Sequence, residues 1–142
     1  MTFEWEDYLT LAIELKKNVQ EFKLREKCSL EEAIYRSSIS RSYYFIFHYS
    51  KNYLETYGRH FKKTADVHRE ICDAFEELSM KNDNEEIRKD LIEISENLTR
   101  LRIVRNMADY DGCINNIEEE AEASIIVAQN TKEILGRLNL NK

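Results

Sequence analysis

Apolar residues recur every three or four positions along five stretches of this chain, and polar or turn-forming residues separate the stretches. Such spacing gives each stretch one apolar stripe on a helix. The first stretch runs from about Phe3 to Glu26, with Trp5, Leu9, Ala12, Ile13 and Val19 in the stripe and Thr2 as N-cap. In the second, "SLEE" reads as a capping box, Ser29 capping an orphan amide while Glu32 reaches back. That helix continues to about Tyr57, where Gly58 ends it. After the basic loop "GRHFKKTA", a third helix covers about Asp66 to Ser79, with Val67, Ile71, Ala74, Phe75 and Leu78 on one face. "SMKNDN" is a turn by composition. Asp83 with Glu86 then starts a fourth helix, which carries Ile87, Leu91, Ile94, Leu98 and Leu101 into "LRIVRNMADYDG" at residues 101 to 112. Asn115 with Glu118 opens a fifth, through Ala121, Ile125, Ala128, Ile134 and Leu138. The pattern predicts an all-α fold: one domain over residues 1–142, an antiparallel bundle of about five helices joined by short connections.

Composition sharpens this picture. With no proline and three glycines, nothing forces the helices to break. The length of 142 residues suffices for one core without metal or disulfide support. A net charge of -6 counts against a general nucleic-acid coat protein but leaves room for a local basic groove, and "RHFKK" with Arg100, Arg102 and Arg105 supplies one. Cys28, Cys72 and Cys113 are odd in number and far apart, which predicts reduced thiols and a cytoplasmic location. Acids precede the apolar residues of "MTFEWEDYLTLAIEL", so it does not read as a signal peptide, and no stretch has the length of a membrane span. No metal-binding box, glycine-rich phosphate loop or activated serine or cysteine is visible, so no metal and no cofactor is expected.

The chemistry concentrates where the fourth stripe changes character. On a wheel of about 100° per residue with Leu91 at zero, Ile94, Leu98 and Leu101 fall near 300°, 340° and 280°. Arg105 falls near 320°, Asp109 near 0° and Arg102 near 20°, so the charges extend the apolar stripe rather than occupy its back. Buried charges must be paired or wet. One reading is an intrahelical network, Arg105 with Asp109 and Arg102 with Asn106, at a bundle end or in a dimer interface. The other is a cleft where cations and an amide await a phosphate or base, with Tyr110 at its edge. The second helix contributes "YRSSISRSYYFIFHYSKNYL", in which Arg41, Tyr44 and His48 share a face. Its Ser37, Ser38 and Ser42 would let another helix approach closely. Tyr43, Tyr44, Phe45, Phe47, Tyr49 and Tyr53 point in nearly every direction, more aromatic surface than one small bundle easily covers. A symmetric homodimer would cover the remainder.

"RSSISRSYYFIFHYSKNYLE" and "LTRLRIVRNMADYD", together with "FEWEDYLTLAIEL" and "DVHREICDAF" in the same order, resemble the HEPN superfamily, in particular its small stand-alone prokaryotic members. The resemblance implies an all-α bundle that often dimerises around a polar cleft. Many members are metal-independent ribonucleases of toxin–antitoxin and phage-defence systems. Their signature pairs an arginine, often followed by a polar residue, with a histidine a few residues on. Arg105 and Asn106 match its first half, but Asp109, Tyr110 and Asp111 stand where the histidine belongs, giving an altered R-N-x-A-D-Y motif. Histidine serves as acid or base near neutral pH, whereas tyrosine, with a pKa of about 10, is a poor base there.

The resemblance therefore implies a non-catalytic or weakly catalytic defence or toxin–antitoxin subunit that binds a partner protein, nucleotide or RNA. Some members pair with nucleotidyltransferases or other defence proteins. The candidate catalytic group is Arg105, Asn106, Asp109 and Tyr110, with Arg102, Arg41 and His48 as substrate-binding residues. The alternatives are a ribonuclease toxin cleaving RNA as a homodimer and a purely structural helical interaction module.

Overall fold

The computed structural model describes residues 4–19, 28–62 and 65–138. Among them are five helices: α1 (Glu6–Lys17), α2 (Cys28–Thr56), α3 (Val67–Lys81), α4 (Glu85–Tyr110) and α5 (Ile117–Arg137). No described residue is in a strand. The predicted all-α bundle is thus the fold observed. No helix among the described residues is long and apolar enough to cross a membrane.

Helix α2, about 43 Å long at 1.5 Å per residue, is the central element. It packs against each of the other four helices, and α3 lies on α4 while α5 lies on α4 and α1. The main core joins Phe45, Ile46 and Leu54 of α2 to Phe75, Leu91 and Leu98. A smaller cluster around Ile34, Tyr35 and Ile39 receives Ala108 from the end of α4 and Ala121 from α5. Most of the predicted stripe residues of α3, α4 and α5 are buried, while Val67, Leu78 and Ile87 are half-buried and His68, Ser79, Ser95, Ser124 and Thr131 are buried beside them. Each large side chain removed from water there contributes about 1.5–3 kcal/mol.

Centrality explains the aromatic content of α2. Tyr43, Phe45 and Phe47 are buried, and Tyr44, Tyr49 and Tyr53 are half-buried, within a single copy. Much of the aromatic surface expected to need a second subunit is covered by the chain's own helices. The serines act in the same way: Ser38 is buried and donates to the Ala12 carbonyl of α1 at 2.8 Å, drawing the two helices together. Ser42 is also buried, whereas Ser37 is exposed.

The helix ends depart from the sequence expectations. α1 stops at Lys17, and Asn18 returns its amide to the Glu14 carbonyl at 3.0 Å. The expected cap Thr2 and the expected extension over residues 20–26 lie outside the described residues. α2 already includes Cys28, so Ser29 falls inside the helix rather than at the N-cap. The cap of α4 is Asn84, not Asp83: its side chain accepts from the Ile87 amide at 3.2 Å. Before α5 stands Asn116, with a left-handed φ of 57°, and no side-chain cap forms. Gly58 ends α2 as expected, at a φ of 88° that favours glycine.

Candidate functional site

The last turns of α4 meet the middle of α2 and the start of α3. Arg105 lies with its guanidinium 5.0 Å from the ring centre of Tyr43 and 5.3 Å from that of Tyr44. Adjacent tyrosines on α2 thus form a bed for the cation, because an aromatic face carries partial negative charge. Arg105 Nη1 also donates to Asp109 Oδ2 at 3.3 Å, one turn onward. The intrahelical pair expected from the sequence therefore exists, and the stack on α2 is added to it. Burial works against the Arg105 charge, but Tyr44, Asp109 and Tyr43 outweigh it and raise its pKa. Arg105 Nε is buried without a hydrogen-bond partner.

Arg102 is different. It is half-buried, and among the described residues it has no hydrogen-bond or ion-pair partner; the expected contact with Asn106 does not form. Its charge, like that of Arg105, bears on Tyr43 and on His68 of α3.

His68 joins this group through the tertiary structure. Its buried ring places Nδ1 2.9 Å from the Tyr43 hydroxyl and Nε2 3.5 Å from Cys72 Sγ. Cys72 in turn lies 3.8 Å from the Ser95 carbonyl and 3.7 Å from Thr99 Oγ1. One ordering satisfies the row: Tyr43 donates to Nδ1, Nε2–H donates to the sulfur, and the thiol donates to the Ser95 carbonyl. Burial, reinforced by Arg102 and Arg105, pushes the His68 pKa down to about 4, so the ring is neutral at pH 7. Burial likewise lifts Tyr43 to about 12, against the pull of Arg105 and Arg102. The two groups hold each other in their neutral forms and fix the ring under Arg105. A signal for His68 existed in the sequence, since it lies three, four and seven residues before Ile71, Cys72 and Phe75, on the apolar stripe.

The other candidate residues separate into two sets. Asn106, Asp109 and Tyr110 are exposed, whereas Arg102 and Arg105 are half-buried. Arg41 and His48 turn toward α1. Arg41 sits over the Tyr8 ring at 5.0 Å, and His48 stacks on Trp5 with centroids 3.6 Å apart. Tyr44 links the two sets, its ring 6.4 Å from His48 and under Arg105.

Arg36 is a further residue that sequence reading left without a role. Its Nη1 donates to the carbonyls of Ala108 at 2.8 Å and Asp111 at 2.7 Å. α4 has no basic residue in its own last turn, so a cation on α2 satisfies its terminal carbonyls. This fixes the turn that carries Asp109 and Tyr110.

Chemically the arrangement offers one guanidinium held on an aromatic bed and a second, Arg102, without a partner among the described residues, beside a neutral imidazole. Guanidiniums so placed suit a phosphate or carboxylate. His68 has both ring nitrogens engaged and is buried, which suits orientation rather than proton transfer. No group of three or more histidine, cysteine or acidic side chains placed to hold a metal ion occurs among the described residues. A family model described as HEPN domain matches residues 14–138. No match was found among curated proteins or among solved structures.

Proposed function

The chain belongs to the HEPN family, and from that premise we propose that it is a non-catalytic or weakly catalytic subunit of a phage-defence or toxin–antitoxin type system that binds RNA through its phosphates. Proteins of this family often serve defence or toxin systems, and their domains commonly dimerise. The observation that carries the reading is Arg102, without a partner among the described residues, beside Arg105, whose guanidinium is already immobilised on Tyr43 and Tyr44. A cation ordered before binding loses less entropy when the anion arrives. Asn106 and Tyr110 are exposed in the same last turns of α4, available for an amide contact and a stacked base. Arg41 and His48 extend the surface along α2 beyond Tyr44. The subunit acts as a homodimer, alongside a nucleotidyltransferase or another defence protein.

Binding is placed above cleavage because the only histidine at the arginines, His68, is buried behind Tyr43 with both nitrogens occupied. Cleavage needs an acid or base within reach of the reacting oxygens. The test is binding of fluorescently labelled single-stranded RNA by wild type, Arg102→Ala and Arg105→Ala, with thermal melting of the same samples. Each variant is expected to stay folded and to lose affinity about tenfold, as expected for one charge-assisted contact of about 1.4 kcal/mol, with a shallower salt dependence. Unchanged RNA affinity in a folded double variant would overturn the reading and leave a structural helical module. Metal-independent appearance of cleaved RNA, lost in Arg105→Ala, would favour the ribonuclease instead.

A further inference from the structure

Away from the arginines, the start of α1 and the last turns of α2 border a cavity of about 390 Å³. That is within the range of about 300–1,000 Å³ usual for small-molecule sites. Three aromatic side chains line it: Trp5 at the N-cap of α1, and Tyr49 and Tyr53 one turn apart on α2. Each ring is held by a neighbour. Trp5 stacks on His48 with centroids 3.6 Å apart, and Tyr49 packs on Phe45 at 5.5 Å. Tyr53 stacks on Phe75 at 6.4 Å, and its hydroxyl donates to the Leu138 carbonyl at 3.4 Å. The charge of the lining is of one sign. Glu4 and Glu6 contribute carboxylates, Asn52 and Thr56 are neutral, and no lysine or arginine is among the lining residues. It is Asp7 that accepts from the Glu4 amide, at 3.4 Å, while the Glu4 carboxylate has no hydrogen-bond or ion-pair partner among the described residues. Glu6 already accepts an ammonium, its Oε1 lying 2.9 Å from Lys132 Nζ of α5.

We propose that this cavity binds a small organic ammonium ion, a quaternary choline-type head lying against the three rings with Glu4 as its counter-charge. An aromatic face attracts a cation within about 6 Å of its centre. Rings fixed before binding lose little freedom when the ligand arrives. A quaternary head has no N–H to satisfy and holds its water weakly, so aromatic walls can replace that water. A hard metal ion would need about six or more oxygens around it. No group of three or more histidine, cysteine or acidic side chains placed to hold a metal occurs among the described residues. A phosphate or carboxylate would meet Glu4 and Glu6 with no cation in the wall. The proposal is independent of what the arginines bind, since the two sites share no residue and select opposite charges.

Trp5 is the single tryptophan of the chain and lines the cavity, so its fluorescence reports the site directly. The test is titration of the whole chain with choline chloride. The controls are sodium chloride at equal ionic strength and the neutral isostere of choline, in which a tert-butyl group replaces the trimethylammonium head. Choline should change the fluorescence saturably. The isostere should bind at least about tenfold more weakly, which corresponds to about 1.4 kcal/mol of lost attraction to the rings and carboxylate. Glu4 is exposed, so Glu4→Lys is expected to fold like wild type by circular dichroism and to bind choline at least about tenfold more weakly. Tyr49→Leu, which removes one wall, should weaken binding as well; should it fail to fold, Glu4→Lys decides alone. A choline response no larger than that of sodium chloride overturns the site. Equal binding of the isostere overturns the ammonium ligand, and wild-type affinity in folded Glu4→Lys overturns the placement.

Discussion

His48 and His68 lie in aromatic surroundings on different helices, and burial pushes the pKa of each down to about 4. Their neighbourhoods otherwise differ. His48 is held by stacking, face to face on Trp5 and edge-on to Phe47, with Lys51 as the nearby cation. His68 is held by hydrogen bonds at both nitrogens and faces Arg102 and Arg105. The comparison separates two causes that give the same titration. Burial is the largest cause of both shifts, so a low pKa by itself does not mark a site; the company of Arg102 and Arg105 distinguishes His68.

The largest expected effect lies in acid. The folded pKa of each histidine is about 4 and the ordinary value is 6.5, so between these pH values the unfolded chain binds protons that the folded chain does not. Stability therefore falls as pH drops through that window. For buried His68 the loss is up to about 3 kcal/mol; for half-exposed His48 solvent screening makes it smaller. Melting temperatures from pH 7 to pH 4 should fall less steeply in His68→Gln than in wild type, with His48→Gln between them. Equal slopes in the two variants would erase the distinction.

Next comes Tyr43→Phe, which removes the hydroxyl that His68 Nδ1 meets at 2.9 Å. A buried acceptor left unpaired costs about 1–3 kcal/mol. Tyr44→Phe leaves the bed under Arg105 intact and should cost less than about 0.5 kcal/mol, as surface changes usually do. Denaturant titration of both proteins distinguishes a hydrogen-bonded pocket from a merely aromatic one.

Asp109→Ala should be smaller still. Its pair with Arg105 is partly exposed, and such pairs contribute at most about 1 kcal/mol. Arg105 keeps its stack on both tyrosines, so calorimetry should show a nearly unchanged melting temperature. A drop comparable with that of Tyr43→Phe would mean that Asp109, not the aromatic bed, holds the arginine.

The smallest effect sharpens the comparison most directly. An anion at Arg102 and Arg105 offsets the positive field on His68, so inorganic phosphate should move the His68 titration back toward its ordinary value. His48 should not respond, and nuclear magnetic resonance of the imidazole protons reads both rings in one sample. A common shift would indicate a general salt effect.

Much of the fold could be read in the pattern of side chains. Leu91, Ile94, Leu98 and Leu101 are buried as their spacing requires, because helix geometry converts a period of three and four into a face with no knowledge of the partner. Cap positions were less legible. Asp83 and Asn84 are both good caps, and only the local backbone decided for Asn84. The Arg105–Asp109 pair was visible at four-residue spacing, but the two tyrosines under Arg105 were not, since they lie on another helix.

By itself, then, the sequence determined the five helices, their inward faces and the position of Arg102, Arg105 and Asp109 on one stretch of α4. Those are properties of residues within a few turns of one another, governed by backbone geometry and the removal of apolar surface from water. The tertiary structure alone decided that His68 would meet Tyr43 across 25 positions, that Arg36 would close the end of α4 from 72 residues away, and that Arg102 would have no partner among the described residues. Such meetings depend on how whole helices pack, and no local spacing encodes the distance between two side chains on different helices.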